Sequence, residues 1–260
     1  MRILPVTAAF DHIVRSAINN LRFAFHVAWP WLVILVPVNI AVSLAAPFDP
    51  VAGLNGRSLS FALMAGLFSL FAFSSIAVNW HRYILKDELP MGATRLRTDG
   101  LVWRYFGTTL LIMLMLLLAL LPFAFLLELL ARALGQAALL IVVPTYVALL
   151  LAGLAAFYRL SIRLPAIALG RTDYRFKDAW AESQGNSWQL VGLGLLLFLV
   201  MIVVALVFGV MMTLLAKFPG GVVGQIASAI IETGANWLVS ILAVTALTSL
   251  YGFFSESRNF

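Results

Sequence analysis

The sequence predicts an all-α polytopic membrane protein: six transmembrane helices arranged as three hairpin repeats, with amphipathic helices on the cytoplasmic side. Three observations carry this expectation. Of 260 residues, 63% are apolar and 11% charged, where soluble chains average about 45–50% and about 25%. Six stretches of at least 23 residues contain no Asp, Glu, Lys or Arg: 23–48, 58–81, 105–127, 133–158, 183–216 and 233–255. About 20 apolar residues suffice to cross the hydrocarbon layer as a helix. The connections between these stretches are too short to house a second domain, so residues 1–260 read as one integral membrane domain.

Taken in order, Met1 to Phe10 is too short for a signal peptide and is followed by Asp11, His12 and Arg15. Val6, Phe10, Ile13, Val14, Ala17 and Leu21 then recur at helical spacing while Asp11, Arg15, Asn19 and Arg22 take other angles. That pattern predicts an amphipathic helix over 6–24 lying on the inner leaflet. The six spans are expected at 28–47, 60–81, 106–127, 136–157, 189–214 and 234–254. Between the fourth and fifth, Asp173 can cap a second interfacial helix over 174–184, with Phe176 and Trp180 sharing a face and Gly185 and Asn186 ending it. The stretch from Gly220 to Ile231 reads either as an outer amphipathic helix or as a re-entrant turn. Pro30, Pro37, Pro122 and Pro144 each remove a backbone donor inside a span. They mark either kinks tolerated by neighbouring helices or broken helices of a transport site.

Charge fixes the expected orientation. With the N-terminus in the cytoplasm, 14 of the 17 Lys and Arg lie inside, leaving Arg57, Arg132 and Lys217 outside. The positive-inside rule therefore places both termini in the cytoplasm. The net charge of +6 falls entirely on that face, because the outside charges cancel. A basic chain could point to nucleic acid. Charges that flank hydrophobic spans point instead to anionic lipid headgroups, and no nucleic-acid partner is expected. Trp29, Trp31, Trp80, Trp103, Trp180 and Trp188 fall near the cytoplasmic span ends, where an indole can sit at the headgroup level.

The hairpin repeat rests on Gly100, Trp103 and Gly107, matched by Gly185, Trp188 and Gly192 at an interval of 85 residues. These glycines suit a sharp change of direction followed by close helix packing. The segment 159–171, RLSIRLPAIALGR, followed by FKDAW at 176–180 and GNSW at 185–188, resembles the signature of a bacterial multipass family. That family includes the membrane domain fused to some glycerophosphodiester phosphodiesterases and related uncharacterised envelope proteins. The resemblance implies a six-span helical fold in the bacterial inner membrane and little about activity.

Chemistry is sparse. The chain has no cysteine, which excludes disulfides, thiolate metal sites and a cysteine nucleophile. His12, His26 and His81 have no partner at metal-ligand spacing, and neither a phosphate-binding loop nor a nucleophile elbow is present. The expectation is a non-enzyme without cofactor or metal. Two constellations remain. Arg82, Arg159 and Arg163, beside Tyr83 and Tyr158, could clamp a lipid phosphate or simply anchor the spans. Glu232 and Asn236, one helical turn apart, form a polar pair either at the outer interface or within the membrane. The expected function is an accessory or lipid-interacting structural component of the envelope, with membrane lipids, and a protein partner or second copy, as partners. The alternative is a small transporter or flippase-like carrier using the kinked spans and the Glu232/Asn236 pair.

Overall fold

The computed structural model describes residues 2–45, 56–215, 217 and 221–260, and every regular element among them is helical. In chain order these are α1 (Val6–Asn19), α2 (Leu21–Ala45), α3 (Gly56–Lys86), α4 (Gly100–Leu134), α5 (Leu139–Ser161), α6 (Arg163–Ala168), α7 (Phe176–Glu182), α8 (Ser187–Leu215) and α9 (Val222–Ser255), with short 3-10 turns at Gly92–Leu96 and Gly135–Ala138. Six segments are long and apolar enough to cross a membrane: α2, α3, α4, α5 continued through α6, α8 and α9. The chain is thus an all-helical, multipass membrane protein.

The helices are longer than the spans that the sequence predicts. Asn20 ends α1 with its Nδ2 donating to the Ser16 carbonyl at 2.9 Å. A new helix, α2, begins at Leu21, so the expected 6–24 helix is divided and the first span starts seven residues early. Positions 46 and 47 of that expected span lie outside the described residues. The 222–231 stretch is neither a separate surface helix nor a turn; it is continuous with α9, while Gly220 falls outside the described residues. Helices α2, α4 and α5 run unbroken through Pro30, Pro37, Pro122 and Pro144. The N-cap of α7 is Arg175 rather than Asp173; the Asp178 carboxylate accepts the Arg175 backbone N–H at 2.7 Å, and Asp173 pairs with Arg171 instead.

Consecutive spans pack as neighbours: α2 on α3, α4 on α5, α8 on α9. The hub is α9, which touches α1, α2, α3, α6, α7 and α8. Of the 34 residues of α9, 13 are buried, against four of the 35 in α4. Close approach to α5 occurs at Gly194 of α8, where an added Cβ would lie 2.8 Å from side-chain atoms of both Leu154 and Tyr158. Gly107, expected to pack closely, has no atom within 4 Å of its Cβ position.

The main core gathers toward the end of the bundle that carries both chain ends, called the basic end below. It includes Ile13, Trp31, Ile76, Trp80, Tyr105, Leu190, Leu250 and Tyr251. Trp31 and Trp80, expected at the headgroup level, are core residues, whereas Trp103 and Trp188 are 59% and 76% exposed. At the far end, Leu127, Ala138 and Val142 form a small separate cluster between α4 and α5.

Candidate functional site

The polar residues of the basic end sort into those that hold the fold and those that do not. Inside the bundle, the Thr248 hydroxyl donates to the Val244 carbonyl at 2.8 Å, which leaves its oxygen to accept from His81 Nδ1 at 2.8 Å. His81 Nε2 then accepts from the Tyr105 hydroxyl at 3.2 Å. A neutral imidazole with both nitrogens engaged and no carboxylate beside it ties α3 to α4 and α9. Trp31 Nε1 donates to Ser75 Oγ at 3.0 Å, and Ser75 donates to the Arg97 carbonyl at 2.6 Å. These bonds hold the α3–α4 connection against the spans.

Two of the three arginines singled out in the sequence spend their hydrogen bonds on the fold. Arg82 binds Glu88 through two nitrogens and donates to the Ala168 carbonyl at 3.0 Å. Lys86 donates to the Leu169 carbonyl at 3.0 Å. Both cations thus satisfy the orphan carbonyls at the end of α6, where the helix dipole favours positive charge. Arg159 is buried, with its Nε on Ser183 Oγ, an amino group on the Trp180 carbonyl at 2.7 Å and its guanidinium 3.8 Å over the Trp180 ring. One turn on, the Arg163 guanidinium lies 4.3 Å over the Phe176 ring. Two arginines four residues apart therefore meet two aromatics four residues apart and staple α7 beneath the end of α5, each stack contributing about 1 kcal/mol. Tyr83 stacks on Phe23 and donates to Asn20, while Tyr158 is buried between α5 and α8. The five residues form no single constellation.

Arg163 differs from its neighbours. Its Nε is buried without a hydrogen-bond partner among the described residues, and its side chain lines a groove of about 520 Å³ with Arg104, Gly107, Thr108, Leu111, Ile167, Gly170, Arg171 and Thr172. The local chain builds this groove. Asp99 caps α4 by accepting from the Leu101 and Val102 N–H groups, which starts a helix whose face reads Arg104, Thr108, Leu111. On the other wall, α6 ends in a Schellman turn: Gly170 takes φ +83°, its N–H bonds to the Ile167 carbonyl, and Arg171 N–H bonds to the Ala166 carbonyl. That turn sets Arg171 at the groove mouth, where Asp173 and the Tyr251 hydroxyl hold it.

The hydrogen bond to Asp173, then that to Tyr251, raise the Arg171 pKa, so this cation is permanently charged. The same hydrogen bond to Arg171 lowers the Asp173 carboxyl below its usual range. Burial, with the bond to Glu182, raises the Tyr174 phenol, so it remains a donor. Three guanidinium groups line the groove, one of them, Arg171, paired with Asp173 at its mouth, and Arg104 has no ion pair or hydrogen bond among the described residues. The arrangement suits a phosphate or carboxylate. In the sequence Arg104 stands out only as part of the basic face and Arg171 as the end of the segment 159–171; the available signal is the face of α4 that begins with a cation and turns apolar.

Glu232 and Asn236 are exposed on α9, while Thr233 and Trp237, the next residues along, are buried. Thr233 accepts from Asn39 of α2 at 3.0 Å, so the polar pair faces away from that packed side. Among the described residues no three His, Asp or Glu side chains gather as a metal site. Neither the family models, nor the curated proteins, nor the solved structures with which the chain was compared match it.

Proposed function

We propose that this chain is a non-enzymatic multipass component of the bacterial cytoplasmic membrane, with both termini inside, that serves the envelope as an accessory, lipid-interacting structural protein. The observation that carries the reading is the contrast at the basic end. His81, Arg82 and Arg159 spend their polar atoms on the fold, while in the groove Arg104 has no ion pair and Arg163 Nε no hydrogen-bond partner among the described residues, beside an Arg171 paired to Asp173. A face of this kind attracts acidic headgroups by about 1 kcal/mol per basic residue near the surface. The charge bias of the connections supports the inside placement, and the segment 159–171 supports kinship with the bacterial family named above. The three-hairpin repeat and the interfacial roles of α1 and α7 belong to the same reading. The carrier alternative rests on Glu232 and Asn236, and their exposed position on the outside of α9 makes them poor lining for a path between helices.

The test is enrichment of acidic lipid. Protein reconstituted in nanodiscs of mixed phosphatidylcholine and phosphatidylglycerol is expected to retain phosphatidylglycerol preferentially through detergent exchange. Retention in proportion to the mixture would overturn the reading. A topology reporter at Arg57 or Lys217 is expected outside, and a cytoplasmic signal there would overturn the orientation.

A further inference from the structure

Beyond a generally cationic face, we infer that the groove between α4 and the α6–α7 turn is a discrete site for one acidic phospholipid, the phosphate held by Arg104, Arg163 and Arg171 and one acyl chain rising along Gly107 and Leu111. The inference rests on the lipid-interacting reading and deepens it.

The groove has two chemical ends. Arg104 leads, followed on the same face by Gly107, Thr108 and Leu111. Seven residues of helix rise about 10 Å, so the lining passes from cation through hydroxyl to hydrocarbon along one wall. The opposite wall brings Arg163, Ile167, Gly170, Arg171 and Thr172 to the same groove. A free phosphate or nucleotide would use the mouth and leave the apolar depth empty. A phospholipid matches both, because its charge and its chain lie in the same sequence.

Three further features prepare the site. The Arg163 guanidinium is fixed by its stack on Phe176, and its unpartnered buried Nε offers a donor. Arg171 is fixed by Asp173 and Tyr251, so two of the three cations are oriented before any ligand arrives. At Gly107 the open space over the backbone is the slot itself. A side chain there would fill the groove without touching the fold, which gives a variant that keeps every charge.

The site is tested by native mass spectrometry of the full chain from the mixed nanodiscs, counting phosphatidylglycerol that survives detergent exchange. Wild type is expected to hold one molecule. Arg104→Gln combined with Arg163→Gln is expected to lose it by tenfold or more, as removal of two basic residues implies. Gly107→Leu is expected to lose it to a similar degree with an unchanged thermal midpoint, since leucine also favours helix over glycine. Displacement of the lipid by millimolar inorganic phosphate, together with phosphate binding that survives Gly107→Leu, would identify a soluble-anion site and overturn the proposal. Unchanged lipid in both variants would overturn it as well. In that case enrichment by wild type would leave the general lipid-interacting reading standing, whereas its absence in wild type would remove both.

Discussion

The two ends of this bundle are built differently although both are made of apolar helices. At the basic end, Trp80, Leu190, Leu250 and Tyr251 are fully buried and interleaved with hydrogen-bonded His81, Ser75 and Thr248. At the far end, α4 and α5 touch through Leu127, Ala138 and Val142 and otherwise present Leu118, Phe125, Leu140 and Leu150 outward. In water that surface would drive collapse. In lipid it does not, because a leucine gains nothing by leaving hydrocarbon tails for another leucine. Helices therefore hold each other where shape and polar bonds add something lipid cannot supply, and at the basic end α1, α6 and α7 supply it.

This contrast can be broken most directly by truncating one residue from each end. Trp80→Ala is expected to cost about 3 kcal/mol through the cavity it leaves, whereas Leu127→Ala is expected to cost about 1 kcal/mol or less because lipid can refill the space. Reversible unfolding in mixed micelles reads both, and equal losses would end the distinction. A smaller effect sharpens it at the level of helix contact. Gly194→Leu forces a side chain against Leu154 and Tyr158 and is expected to cost about 2 kcal/mol; Gly209→Leu, in open space on the same helix, is expected to stay within about 0.5 kcal/mol. A similar cost at both positions would mean that α8 is held no more tightly at one end than at the other.

The smallest expected effect concerns pH. Asp173 has a lowered carboxyl pKa in the folded chain, so its contribution is present above the ordinary carboxylate range and is lost as pH falls through the lowered value. Acid titration of the thermal midpoint is expected to show a slight loss that Asp173→Asn abolishes. An identical acid response in the variant would remove the Arg171–Asp173 pair from the account.

The spans were legible because a charge-free run of 20 residues reports its solvent directly. The aromatic face of Phe176 and Trp180 was legible from spacing alone. What those aromatics meet was not, since nothing in local order says that Arg159 and Arg163 turn inward to them rather than outward to lipid. Helix α8 is apolar on every side, so its sequence does not distinguish a face toward Leu154 from one toward hydrocarbon. The groove escaped notice for a related reason. Its arginines come from segments about 60 residues apart, and only the packing of α4 on α6 brings them to one cavity.

The position of α9 has a consequence for biosynthesis. A ribosome delivers this helix after α1, α2, α3, α6, α7 and α8, all of which it contacts. Leu4 N–H must wait for Asn186, and Arg2 for Phe253. The earlier spans already meet across hairpins, α3 on α4 and α5 on α8, and what the last helix adds is a contact common to α1, α2, α3 and α8. A chain stalled before α9 would lack the one helix that α1, α2, α3, α6, α7 and α8 all touch.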